Sequence, residues 1–211
     1  MTAARMDPST GKPFCVLVAG PDCCSAKCAV LWLEYNAFIL DINPPMGFDT
    51  HRCEVEGVAV DVVDGPEVLL NTDNQGFARD YEAHAAEAVG LLAIFDVTAR
   101  QSMADMYTIV AHTQELRRAR GLAPLPFAVI GTDLEEDSVC AVPPEDARAI
   151  AAARGALSYA AVNARTGEHV RAAFTDAIML LIATAHPALN DNRPVRRRPT
   201  QHGVTHGCRH Q

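Results

Sequence analysis

The stretch Phe14-Cys15-Val16-Leu17-Val18-Ala19, stopped by Gly20-Pro21, constrains the fold of this chain more than any other. A short, unbroken apolar run with a hard stop predicts a strand buried on both faces. Residues 28–34 then predict a helix. A strand buried on both faces needs helices on each side of its sheet, and the rest of the chain supplies them in alternation. Two β-rich runs, 50–55 and 58–63, meet at Glu56-Gly57 and predict a hairpin. An Ala-rich helix is predicted over 77–88 and a buried strand over 90–97 (GLLAIFDV). A helix follows over 101–120, its basic end placed at the negative end of the helix dipole. Residues 126–131 (PFAVIG) and 157–162 predict two more strands. Between them Pro143-Pro144-Glu145-Asp146 opens a helix that Gly155 closes. The last helix, 168–185, puts Val170, Phe174, Ile178 and Leu181 on one face. This order predicts a three-layer α/β fold. Its sheet is six-stranded and mostly parallel, with one antiparallel edge strand and helices on both faces. Ligands in such sheets lie at the carboxyl ends of the strands.

With 211 residues, 49% apolar and 21% charged, the chain suits one domain with a real core and a tail. The predicted division is a disordered extension over 1–12, a domain over 13–186, and a disordered, basic, Pro- and His-rich tail over 187–211. Nothing approaches the roughly eighteen apolar residues of a membrane span, and the first residues lack the apolar core of a signal peptide, so a cytoplasmic protein is expected. Net charge is −8; five arginines and one aspartate from His186 onward make that stretch +4 and leave −12 for the body. An acidic body argues against a nucleic-acid partner. The seven cysteines read as reduced thiols. Cys23, Cys24 and Cys28 lack the second ligand pair that a zinc site needs.

Five segments carry chemistry. Gly20 to Cys28 has the strand-loop-helix layout of a phosphate-binding P-loop, G-x-x-x-x-G-K-[ST], without its second glycine and hydroxyl. Val58-Ala59-Val60-Asp61-Val62-Val63-Asp64-Gly65 is a strand ending on an aspartate. Gly131-Thr132-Asp133-Leu134-Glu135-Glu136-Asp137 follows a buried strand. Asn163-Ala164-Arg165-Thr166-Gly167-Glu168-His169-Val170 precedes the last helix, and Phe38 stands ahead of Asn43-Pro44-Pro45. In this order they resemble the motifs of a Ras-type small GTPase over roughly 14–185. The match to S-A-K-T-G-E-N-V at Asn163 is the most specific. The C-terminal Cys208-Arg209-His210-Gln211 resembles a prenylation box.

The resemblance implies a Ras-like G domain that binds GTP and GDP with Mg²⁺ and presents a switch surface to protein effectors or regulators. It implies nucleotide contacts from Gly20, Ser25, Ala26, Lys27, Cys28, Phe38, Thr132, Asp133, Ala164 and Arg165, a Mg²⁺ contact from Asp64, and a water-orienting role for Gln75. In a gap-free register Lys27 stands at the P-loop hydroxyl; with one insertion Ala26-Lys27-Cys28 stands for G-K-S. Either way an oxygen ligand suited to hard Mg²⁺ is missing. Pro45 occupies the place of the first-switch threonine and has neither hydroxyl nor backbone N–H. Asp64 is preferred over a rival alignment through Asn71-Thr72-Asp73-Asn74-Gln75, because 58–63 is the better strand. The base-reading asparagine is gone after Gly131. The expected protein is therefore a divergent family member, its nucleotide cycle weakened or lost, acting through protein partners. A working GTPase with a rearranged site is the alternative. Arg193, Arg196, Arg197 and Arg198 with a lipidated Cys208 would anchor it at an anionic membrane surface.

Overall fold

A computed structural model describes residues 4–21, 24–37, 39, 48–64, 75–133 and 140–192. Strands β1 (Phe14–Ala19), β2 (Asp49–Val55), β3 (Val58–Asp64), β4 (Gly90–Asp96), β5 (Phe127–Asp133) and β6 (Tyr159–Asn163) form one sheet in the order β2-β3-β1-β4-β5-β6. Only the β2–β3 pair is antiparallel; the other neighbours are parallel. The expected α/β sheet with its antiparallel edge strand is present.

Helices α1 (Cys24–Tyr35) and α5 (Val170–Ala185) cover one face. Helices α2 (Gln75–Glu87), α3 (Arg100–Ala119) and α4 (Pro144–Ala153) cover the other. Alternate strand residues feed the two cores. Val16 and Val18 of β1 join the α1/α5 core, while Leu17 and Ala19 join the other. The stripe read from α5 is the buried one: Val170, Phe174, Ile178 and Leu181 are fully enclosed. Gly90 makes room for it, because a Cβ there would lie 2.8 Å from that of Leu181. The β2–β3 hairpin turns at Glu56 and Gly57, both with positive φ (50° and 74°), the backbone of a tight primed turn.

Three expectations change. The 4–12 stretch is tied to the sheet rather than disordered. Arg5 bridges Val58, its N–H donating to Gly57 O (2.8 Å) and its carbonyl accepting from Ala59 (2.9 Å). Asp7 is buried, and its carboxylate accepts from the amide and hydroxyl of Ser9. Pro187–Asn192, assigned to the tail, forms a 3₁₀ helix. Leu189 packs on the core there. Cys15, Cys28 and Cys53 are free thiols, but Cys140 takes part in a disulfide, so not every cysteine is reduced.

Candidate functional site

Parallel strands share a polarity, so β1, β3, β4, β5 and β6 end at one rim. The pairing of Leu17 with Val63 carries β1 and β3 side by side toward Gly20 and Asp64. Gly20 is fixed by packing: a Cβ there would lie 2.4 Å from the backbone oxygen of Ile94 in β4. Ser25, Ala26 and Lys27 lie in the first turn of α1, and their side chains are outside the described residues. Cys28 is fully buried, and its thiol donates to the carbonyl of Ile39 at 3.4 Å.

Asp64 is half-buried at the end of β3, in register with Asp49 on β2. Asp49 is a second carboxylate at this rim that the sequence reading passed over. Gln75 opens α2, its side chain outside the described residues. Phe38, Pro45 and Cys208 lie outside them altogether. Asp96, at the end of β4, works structurally. It accepts from the Thr98 amide (2.8 Å) and hydroxyl (2.6 Å), and its own amide donates to Ser102 Oγ (2.9 Å), which turns the chain into α3. Among the described residues no group of three His, Cys, Asp or Glu is placed to hold a metal ion.

On the other side of the rim β5 and β6 bring together Thr132, Asp133, Ala164 and Arg165. Thr132 is fully buried and its hydroxyl donates to Phe95 O at 3.1 Å. Asp133 is half-buried, and its backbone oxygen accepts from Ala164 N at 2.7 Å. Ala164 is fully buried, whereas Arg165 is exposed. Asn163 Oδ1 accepts from the amides of Arg165 (3.0 Å) and Thr166 (2.9 Å), a side-chain turn that shapes the loop. Trp32, on α1, donates its indole N–H to Ala164 O at 2.7 Å. The Trp32 ring presses on Gly167, where a Cβ would lie 2.4 Å from it; Gly167 also has φ +75°. Trp32 was missed by sequence reasoning. Its one signal was being the sole tryptophan, and nothing in the chain tied it to a loop so far away.

A family model of the Ras family matches residues 16–183, most of the chain. The chain belongs to the Ras family. No curated protein matches it. The family assignment and the observed sheet agree on a Ras-like G domain and on a small-GTPase-like signalling protein. Proteins of the Ras family bind guanine nucleotides and act with effectors and regulators. Among the described residues no helix is long and apolar enough to cross a membrane.

At the base side of this Ras-family domain two expected contacts already have partners inside the protein. The Thr132 hydroxyl and the Ala164 amide, two groups expected to face the nucleotide, are spent on Phe95 O and Asp133 O.

Proposed function

We propose that this protein is a divergent Ras-family signalling protein in which guanine-nucleotide binding and GTP hydrolysis are weakened or lost. It acts by offering its switch-region surface to protein partners. The observation that carries this reading is Cys28. In the register with one insertion it stands at the Mg²⁺-gripping hydroxyl, yet its thiol is fully buried and engaged with Ile39 O. A thiol is also a poor ligand for a hard cation. Pro45 in the first switch argues the same way. An oxygen ligand from each segment is what lets the terminal phosphate hold the switches closed. In the gap-free register the ammonium of Lys27 would stand near the metal position and oppose the cation.

One observation favours the alternative of a working GTPase. Asp64 survives at the end of β3, beside the strand that leads to Gly20. In that reading Asp64 holds Mg²⁺, Lys27 the phosphates, Gln75 a water and Asp133 the base. For the tail we propose a two-signal anchor, Arg193 and Arg196 to Arg198 plus lipidated Cys208, at the cytoplasmic face of an anionic membrane.

Unfolding of the purified protein with GTP, GDP or ATP, each with and without Mg²⁺, tests the main reading. A ligand at about a thousand times its Kd adds about 4 kcal/mol of stability, a shift of several degrees. The expected result is no Mg²⁺-dependent shift with GTP. A shift of that size with GTP and Mg²⁺, followed by release of phosphate, establishes the alternative.

A further inference from the structure

Every backbone N–H in the 163–168 loop already has an acceptor inside the protein. Asn163 donates to Glu168 O (3.3 Å), Ala164 to Asp133 O (2.7 Å) and Gly167 to Asn163 O (3.0 Å). Arg165 and Thr166 donate to Asn163 Oδ1, and Glu168 to Thr166 Oγ1 at 3.2 Å. The Ala164 bond is the shortest of these, and it extends the β5–β6 ladder one step past the Asp133–Asn163 pair.

Trp32 holds the loop in this form. Its indole N–H binds the carbonyl of Ala164, and its ring occupies the space where any side chain at position 167 would go. Ala164 is thereby gripped through both its N–H and its C=O. Turning its amide toward a ligand would break a buried bond and would pull the carbonyl off the indole.

Selection between purines works by penalty: the wrong base leaves a buried donor or acceptor unpaired. A purine with oxygen at position 6 asks for an N–H, and one with an amino group asks for an acceptor. Here Thr132 and Ala164 keep their internal partners whichever base approaches, so neither is left unpaired by the wrong one. We infer that Trp32 locks the 163–168 loop into a self-satisfied form, so that this loop does not distinguish a guanine from an adenine nucleotide. Trp32 is a positioning residue, because it acts through the loop.

The inference rests on reading this rim as the nucleotide end of the domain. Residue-resolved amide exchange by NMR tests it on the full chain, without ligand and with millimolar GDP or ADP. The Ala164 amide is expected to exchange slowly with no ligand present. Its protection with GDP and with ADP is expected to agree within about tenfold. A Trp32→Phe variant removes the indole donor together with the distal ring atoms that press on Gly167. In it, Ala164 and Gly167 are expected to lose at least about tenfold in protection while β1 and β4 hold theirs. Should that variant fail to fold, the wild-type arm decides alone. Ala164 exchanging like an exposed amide overturns the inference, as does protection more than tenfold stronger with GDP than with ADP. Equal loss across β1 and β4 in the variant removes Trp32 from the lock.

The two readings fail separately. Hydrolysis of GTP by a protein whose Ala164 amide ignores the base defeats the weakened cycle alone. GDP-specific protection of Ala164 without hydrolysis defeats this inference and leaves the loss of hydrolysis standing.

Discussion

A methyl group on residue 20 would press on the backbone of β4, which cannot swing aside as a side chain can. Gly20→Ala is therefore expected to lower stability by about 1–3 kcal/mol, the usual cost of overpacking, read from urea denaturation without any nucleotide. The glycine was legible in the sequence as a turn residue; its reason was not, because Ile94 is remote in the chain. Glu56 is the opposite case. Its left-handed φ of 50° is unfavourable for a side chain with a full Cβ and Cγ. Glu56→Asn is expected to raise stability by up to about 1 kcal/mol, seen as a higher urea midpoint at unchanged slope. Burial pushes the Cys15 thiol up to about 12, with Glu87 and Asp61 adding to the shift. It is thus protonated at neutral pH and is expected to resist alkylation by iodoacetamide until the protein unfolds. Rapid labelling of Cys15 in the native protein would contradict its burial.

At the scale of elements, α2 is held to α3 by polar contacts at two levels. The Tyr81 hydroxyl shares a short hydrogen bond with that of Thr113, which also donates to Ile109 O at 2.8 Å. Farther on, Arg117 donates to the carbonyls of Ala85 (2.6 Å), Ala86 (3.2 Å) and Ala123 (2.7 Å), closing the end of α2. Burial lowers the pKa of its guanidinium. Arg117→Ala is expected to cost about 1.5–3 kcal/mol, the range for bonds to a charged group. Burial also pushes the Tyr81 phenol up to about 12, outweighing its bond to Thr113. Its ordinary value is 10.0, so between these limits the unfolded chain has lost a proton that the folded chain keeps. Stability then falls as pH rises through that window. Tyr81→Phe is expected to be less stable at neutral pH by about 1 kcal/mol and to lose less on going to pH about 11. Urea midpoints of both proteins at the two pH values check this. These elements were legible because their apolar periods were clear. Their ends moved by a few residues where partners decide: β6 starts at Tyr159 rather than 157, in register with Val129. Likewise α5 starts at Val170 rather than 168, after His169 in a left-handed conformation.

For the molecule as a whole, the order of elements gives the sheet, and the sheet gathers the strand ends at one rim. That much follows from the alternation of strands and helices, and five degraded motifs in the right order were enough to name the family. What composition and spacing could not carry is how the rim is used. Their places in motifs put Cys28, Thr132 and Ala164 at a nucleotide. In the fold they bind Ile39 O, Phe95 O and Asp133 O. Those partners are set by how neighbouring strands and loops close on one another, and Trp32 acts on a loop 132 residues away. The fold of a nucleotide switch is kept here, and on the proposed reading three groups that would read or latch the nucleotide, Cys28, Thr132 and Ala164, are instead bonded inside the protein. Release of phosphate from radiolabelled GTP, with protein in excess over nucleotide and Mg²⁺ present, tests that most directly. Release no faster than in buffer is the expected result. Stoichiometric release that needs Mg²⁺ and is lost in Asp64→Ala would contradict it.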